Sequence, residues 1–267
     1  MEISVIIPTY RPDYYIWECL GSLKNQTLSQ DEFEILIILN GDKEPYYSQI
    51  SDWINKNEMK NIRLLYSEKK GVSSARNLGL DTARGENICF IDDDDYIDNN
   101  YLEELVKGIE RYGQNGIVIT NYMNFDEKTK ENLYETKHQN GFYTKNILEI
   151  RKVFSMGCMK LIPKNIIRNI RFKNYSNGED SLFMLEISKN INYISFTEKN
   201  VLYHRRVRKN SANYKSKKIS YILKNSFNLL NEYVKIFFKK GYNKKFIFIR
   251  ILAVIKGLIF QLVNYSE

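Results

Sequence analysis

The chain has 267 residues, 43% hydrophobic and 27% charged, which excludes disordered and fibrous classes and suffices for one large domain or a core with an appendage. Three widely spaced cysteines, Cys19, Cys89 and Cys158, argue against a disulfide framework and for a reducing compartment, and they share no zinc spacing with His138 or His204. The net charge of +8 is uneven: residues 205–267 set 15 lysines and arginines against Glu232 and Glu267, a balance of +13, and residues 1–204 set 25 against 30, a balance of −5. An acidic body and a basic, aromatic tail imply two jobs, not one uniformly basic surface.

The opening MEISVIIPTY carries an acid where a signal peptide needs bases, and its apolar run is too short, so it reads as a first strand. Residues 3–7, 35–39 and 88–91 are short, nearly continuous apolar runs rich in β-branched residues, the pattern of strands covered on both faces in a parallel sheet. Between the first two, 14–27 has Trp17, Leu20 and Leu23 at helical spacing, and 73–84 reads as a helix with Ser73 as its N-cap. Alternating strands and helices define an α/β, doubly wound class. Further on, the spacing predicts a helix over 98–113, a strand over 116–122, a polar irregular stretch over 123–145, and helices over 163–169 and 178–190. From about 205 the composition turns to lysine, tyrosine, phenylalanine and isoleucine, a C-terminal helical appendage to a body spanning 1–204.

Each of the three strands ends in a polar loop: PTYRPD, NGDKEP and DDDDYID. Ligands of open α/β sheets bind at such carboxyl edges. Four consecutive aspartates repel one another, so the last loop calls for a counter-charge. Counted as a calcium loop from Asp92, it places Ile97 where the tight turn needs glycine. A solvated acidic turn is the plain alternative. The functional reading is an Asp-x-Asp arrangement that binds Mn2+ or Mg2+ with few protein oxygens and leaves positions for water and a diphosphate.

The ordered series SVIIPTY, LKNQT, EILIILNGD, KKGVSSARNLGLDTARGENICFIDDDDYI and NGED resembles the family 2 glycosyltransferases over roughly residues 1–210. The most specific block is 71–97, with Gly71, Ala75-Arg76-Asn77, Gly79, Ala83-Arg84-Gly85 and Asp92-Asp93-Asp94-Asp95. The resemblance implies a GT-A fold, a mostly parallel central sheet with flanking helices, and inverting, metal-dependent transfer from a nucleotide sugar, a UDP-sugar first. It places Pro8, Thr9 and Tyr10 in the nucleotide pocket and Arg76 near the base or phosphates. Asp92 and Asp94 fall on the metal motif, with Asp94 the leading ligand, and Asp93 within reach of the ribose. Asp180 falls on the general base and Glu179 beside it contacts the acceptor, although two acids opening a helix are also ordinary dipole complements.

One departure concerns the base. The family carries two adjacent acids after the second strand, where this chain reads Leu39-Asn40-Gly41-Asp42. Asn40 can accept through its amide oxygen, and Asp42 compensates only if the loop bends differently. The stretch VLYHRRVRKNSA at 201–212 matches a looser family feature, with Arg205, Arg206 or Arg208 folding over the diphosphate, or it is a plain basic linker. His204 is a further metal ligand or a structural histidine.

In the tail, 219–238 is helix-compatible, and 246–263 is long enough to resemble a membrane span. Arg250 and Lys256 inside the latter make spanning costly. The flanking Lys239, Lys240, Lys244 and Lys245 point instead to a helix lying in an anionic membrane interface. The alternatives are packing on the body or on a second copy in a homodimer; nucleic acid is disfavoured as a partner. The expected protein is a cytoplasmic enzyme, peripheral at the inner face of the plasma membrane, acting on a glycan or lipid-linked acceptor of a growing surface polysaccharide. Two other readings stand beside it: a membrane-associated non-catalytic scaffold and a sugar-phosphate nucleotidyltransferase. The latter wants a glycine-rich phosphate loop that PTYRPD does not supply.

Overall fold

The computed structural model describes residues 1–175, 177–208 and 219–263. At its centre lies β1 (Ile3–Thr9), every residue of which is buried, as its nearly continuous apolar run leads one to expect. On one side β2 (Phe33–Asn40) and β3 (Ile62–Ser67) follow in parallel, and on the other β4 (Asn87–Phe90) is also parallel to β1. Val5 is the common register point, opposite Ile35 on β2 and Cys89 on β4. The crossovers are α1 (Tyr15–Lys24), α2 (Tyr46–Lys56) and α3 (Val72–Thr82). Because β2 and β4 lie on opposite sides of β1, the strand order reverses there, and a crevice opens at the carboxyl ends of β1 and β4.

The sheet continues through β10 (Lys160–Pro163), antiparallel to β4, then β6 (Gly116–Ile119), β11 (Tyr193–Phe196) and the short edge β9 (Tyr143–Thr144), eight strands among the described residues. A second sheet has the order β5 (Tyr96–Ile97), β12 (Leu202–Val207), β7 (Asn121–Asp126), β8 (Asn132–Glu135). The strand expected at 116–122 is therefore two, one in each sheet, with Thr120 at the corner bonded to the Met159 carbonyl. The stretch 123–145 expected to be irregular contains the rest of β7, β8 and β9. The expected boundary between 204 and 205 falls inside β12, an interior strand, so Arg205 and Arg206 belong to the sheet.

α3 starts from Gly71, at φ +118°, whose N–H goes to the Asn40 side chain. Ser73 does not cap it; its hydroxyl donates instead to the Lys173 carbonyl at 2.9 Å. The body is completed by α4 (Tyr101–Tyr112), α5 (Arg151–Phe154), α6 (Lys164–Ile167) and α7 (Glu179–Ser188). α7 is buried nearly all round: its Phe183 stacks on Phe172 at 3.9 Å between centroids and meets Phe90 edge-on.

The tail forms α8 (Ile219–Phe237) and α9 (Lys244–Val263), antiparallel neighbours that are not detached from the body. Leu229 packs over Gly178, the Tyr233 hydroxyl meets that of Ser181 at 3.0 Å, and Phe246 lies edge-on to Phe154 at 5.6 Å. Phe246 and Ile247 are fully buried. Each such side chain contributes about 1.5–3 kcal/mol, so the tail stabilises the helix that carries Glu179 and Asp180.

Candidate active site

Past β4 the Ile91 N–H still bonds the Ile6 carbonyl, which holds the acid loop against β1 at the switch point. There the four aspartates separate their charges by taking different partners. Asp92 meets Arg76 at 3.0 Å, Asp93 accepts from the Thr9 hydroxyl, Asp94 pairs with Arg208, and buried Asp95 accepts the Arg206 N–H at 2.8 Å. The Tyr203 hydroxyl accepts the Asp92 N–H from below. Repulsion is not fully relieved: burial and then Asp94 push Asp93 up to about 7, and burial and Asp92 raise Asp94 in spite of Arg208.

Opposite the loop stands the N-terminus of α7. Gly178, at φ +86°, makes the sharp entry that a larger residue resists, and Leu229 closes over it. Arg76, 3% exposed, reaches both sides: Nη2 to Asp92, Nη1 to Asp180 at 2.6 Å and to Glu179 at 3.6 Å, with its plane near the Phe172 ring. Burial opposes its charge, but Asp180, Asp92 and Glu179 prevail and raise its pKa above the ordinary value. Glu179 is pushed up to about 7, first by burial, then by Asp180, against the pull of Arg76.

The Glu179 shift makes the protein's stability depend on pH. A carboxyl raised on folding contributes stability fully present below its ordinary value of 4.5 and lost as pH rises through about 7. The unfolding temperature of the wild type should fall between pH 5 and 7.5, and Glu179→Gln should remove part of that fall, the rest belonging to Asp93, which is raised over the same range. Parallel curves for the two proteins would mean that another group carries the dependence.

Pro8, Thr9 and Tyr10 line a cleft of about 1310 Å³ together with Asp92, Asp93, Asp94, Arg76, Glu179, Asp180 and Arg206, so the structure gathers most of the expected site residues. Gly41, at φ +93°, leaves room for the Tyr10 ring, and a Cβ there would meet that ring at 2.5 Å. Asn40 reaches the cleft, but its amide is engaged at both ends, donating to the Thr9 carbonyl at 2.7 Å and accepting from Gly71 at 3.0 Å. Asp42 turns to Arg11 at the surface. His204 stands apart from the Asp-x-Asp carboxylates: it bonds Asp98 at 2.7 Å and stacks on Tyr96 at 4.3 Å. Burial would raise Asp98, but His204 and the Leu202 N–H hold it below the usual carboxylate range.

Arg206 is clamped by the Asp94 carbonyl at 2.8 Å, by Glu18 and by the Phe125 ring, while Arg208 lies over Tyr15. Among the described residues, Arg76 Nε, Arg206 Nη1 and Arg208 Nε are buried donors without a partner. Residues 209–212 of the basic stretch lie outside the described residues. Sequence reasoning missed Tyr15, Asn124, Leu133 and Gln261 on the cleft wall, which belong to no motif and arrive by long-range folding alone, and Tyr203 beneath the loop, which lies in the 201–212 stretch but was not singled out there.

The central sheet, its switch point and the acid loop above it make this a GT-A fold. The chain belongs to glycosyl transferase family 2, whose family model matches residues 4–171. It is 30% identical over 218 residues to the minor teichoic acid biosynthesis protein GgaB of Bacillus subtilis, a match covering 79% of this chain and 23% of that protein. It is 29% identical over 224 residues to glycosyltransferase GlyA of Streptococcus pneumoniae, covering 79% of this chain and 31% of that protein. The chain thus spans a third or less of the length of these two curated relatives. The crystal structure of S. aureus TarS in complex with UDP-GlcNAc superposes with a TM-score of 0.77 at 21% identity, covering 95% of this chain and 72% of that one. The mannosyltransferase PcManGT from Pyrobaculum calidifontis, in complex with GDP-Man and Mn2+, superposes with a TM-score of 0.66 at 16% identity, covering 99% and 74%.

Proposed function

We propose that the protein is an inverting glycosyltransferase that moves a sugar from a nucleotide-diphosphate sugar to a hydroxyl of a growing bacterial surface polysaccharide. The observation that carries this is the single buried Arg76 joining strand-end Asp92 to helix-borne Asp180 across one cleft. The acceptor hydroxyl gives its proton to the Asp180 carboxylate as its oxygen attacks the anomeric carbon. The bond from that carbon to the diphosphate oxygen breaks, and the electron pair leaves on the nucleoside diphosphate. Displacement from the far side inverts the anomeric centre. Protonated Glu179 can donate a hydrogen bond to the acceptor, and Arg76, Arg206 and Arg208, which line the same cleft, bring positive charge that suits an anion of diphosphate type.

Asp92 and Asp94 are hard oxygen donors on the cleft wall; Asp94 is raised first by burial and then by Asp92, and a dication between them relieves that repulsion. That donor set fits Mn2+ or Mg2+, and Asp92 and Asp94 would hold it, with Arg208 displaced from Asp94. A metal bound there supplies charge neutralisation to the leaving diphosphate. The base reading rests on the TarS likeness and favours a UDP-sugar, with the Tyr10 ring, 46% exposed, available for stacking. The intact acids disfavour a non-catalytic scaffold.

A panel of nucleotide sugars with and without Mn2+, read as nucleoside diphosphate release with water as acceptor, tests the reaction. One UDP-sugar should turn over, and only with metal. Asp94→Asn should abolish that turnover and weaken Mn2+-dependent UDP binding at unchanged thermal stability. Wild-type rates from this variant would remove the metal role.

We place the enzyme at the inner membrane face through its tail. Among the described residues no helix is long and apolar enough to cross a membrane. α9 nonetheless exposes Phe248, Leu252, Ile255 and Ile259 at helical spacing, beside exposed Lys244, Lys245 and Lys256. α9 carries no acid, so symmetric pairing of two copies would set like charges together, whereas an anionic lipid surface offsets each at about 1 kcal/mol. Cutting at residue 242 would strip Phe246 and Ile247 from the core, so a surface variant is the better probe. Wild type should float with phosphatidylglycerol vesicles, less at high salt. The variant F248S/L252S/I255S/I259S should stay at the bottom with its unfolding temperature preserved. Flotation equal to wild type would exclude this face.

A further inference from the structure

Lys160, the first residue of β10, is fully buried in the middle of the main sheet. Its ammonium donates to the carbonyls of Val153 at 3.2 Å, Cys158 at 2.9 Å and Met156. Three donors meet three acceptors, yet no carboxylate among the described residues lies within ion-pair distance. A buried cation without a counter-charge is costly, so apolar residues would suit this place better if only packing were at stake.

The Val153 carbonyl belongs to α5, and those of Met156 and Cys158, which flank Gly157, belong to the bend that follows it and returns the chain to β10. Gly157 lies against the proposed general base: a Cβ on it would stand 2.9 Å from Asp180 Oδ1 and 3.0 Å from Asp180 Cγ. The next turn is strained, because Met159 holds φ +69°, a left-handed conformation that side-chain-bearing residues avoid unless their surroundings impose it. Burial brings Lys160 down to about 8, while Cys158 and Asp180 pull the other way, so the ammonium lies within the field of Asp180.

We propose that Lys160 is a positioning residue for transfer: it ties the 153–158 bend so that Gly157 backs the Asp180 carboxylate, which Arg76 holds from the cleft. The proposal rests on the general-base role of Asp180. Misplacing a catalytic group by about an ångström costs on the order of 10²-fold, so the supporting bend has leverage without touching substrate.

The test uses the nucleotide sugar turned over fastest in the donor panel, with water as acceptor, and UDP binding in Mn2+ by calorimetry. Lys160→Met should lower kcat by about 10–100-fold while UDP affinity stays within about twofold, and the loss should nearly vanish when the same change is made in an Asp180→Asn background. Gly157→Ala leaves the Lys160 bonds in place, pushes on Asp180 from the opposite side, and should give a similar kcat loss. Should Lys160→Met fail to fold, Gly157→Ala decides alone, and a loss under about threefold there overturns the proposal. An equal Lys160→Met loss in both backgrounds also overturns it, as a general stability role, while leaving the Asp180 reading intact. If Asp180→Asn alone keeps its rate, the general-base reading falls and the proposal with it.

Discussion

Asp180→Asn is expected to lower kcat by about 10²–10⁴-fold while UDP affinity in Mn2+ stays near that of the wild type. Asparagine keeps the shape and can still accept from Arg76, whose Nη1 lies 2.6 Å from the carboxylate, so the cleft stays assembled. What is lost is the ability to take a proton. Because in the proposed reaction that proton comes from the acceptor, the donor side should not register the change. Initial rates paired with calorimetry separate the two, and a rate loss under about threefold would assign the base elsewhere.

The second large effect concerns Arg76→Met. Arg76 is a buried cation shared by Asp92, Asp180 and Glu179, and methionine fills similar space without charge. Breaking a buried ionic cluster by removing one side typically costs about 3–5 kcal/mol, since the remaining charges face one another. For a chain of this size that is roughly 10 °C in unfolding temperature. It should be largest above pH 7, where Glu179 has lost its proton, and smaller near pH 5. A shift under about 2 °C at pH 7.5 would show that the acids find other partners.

The acid loop and the strands beside it were legible because their signals are local. β1, β2 and β4 are buried on both faces and read as nearly continuous apolar runs, and Asp92 to Asp95 follow the last run, which ends at Ile91, directly. β3 escaped notice because every residue in it is half-buried, as befits an edge strand, and the apolar run is diluted by Arg63 and Ser67. β6 and β7 read as one strand because the change of sheet at Thr120 leaves no mark on the apolar pattern. Ser73 has the residue type of a cap, but tertiary contact with Lys173 claimed its hydroxyl.

At the site, residue type was readable and pairing was not. His204 and Asp98 are 106 positions apart, and only the antiparallel pairing of β12 with β5 brings them together. Arg76 was expected beside a nucleotide; its three acidic partners come from the acid loop and from a helix 104 residues away. Lys160 left a faint trace, a charge inside the apolar SMGCMKLIP, whose meaning depends on where the preceding bend returns.

The reaction is tested most directly by the stereochemistry of the first product. Proton NMR at early times, before free sugar equilibrates, reports the anomeric configuration released from an α-linked UDP-sugar in the presence of Mn2+. Attack assisted by Asp180 in a single displacement predicts the β anomer as the initial product, absent with Asp180→Asn. Initial release of the α anomer would contradict it, since two displacements or a different attacking face would then be required.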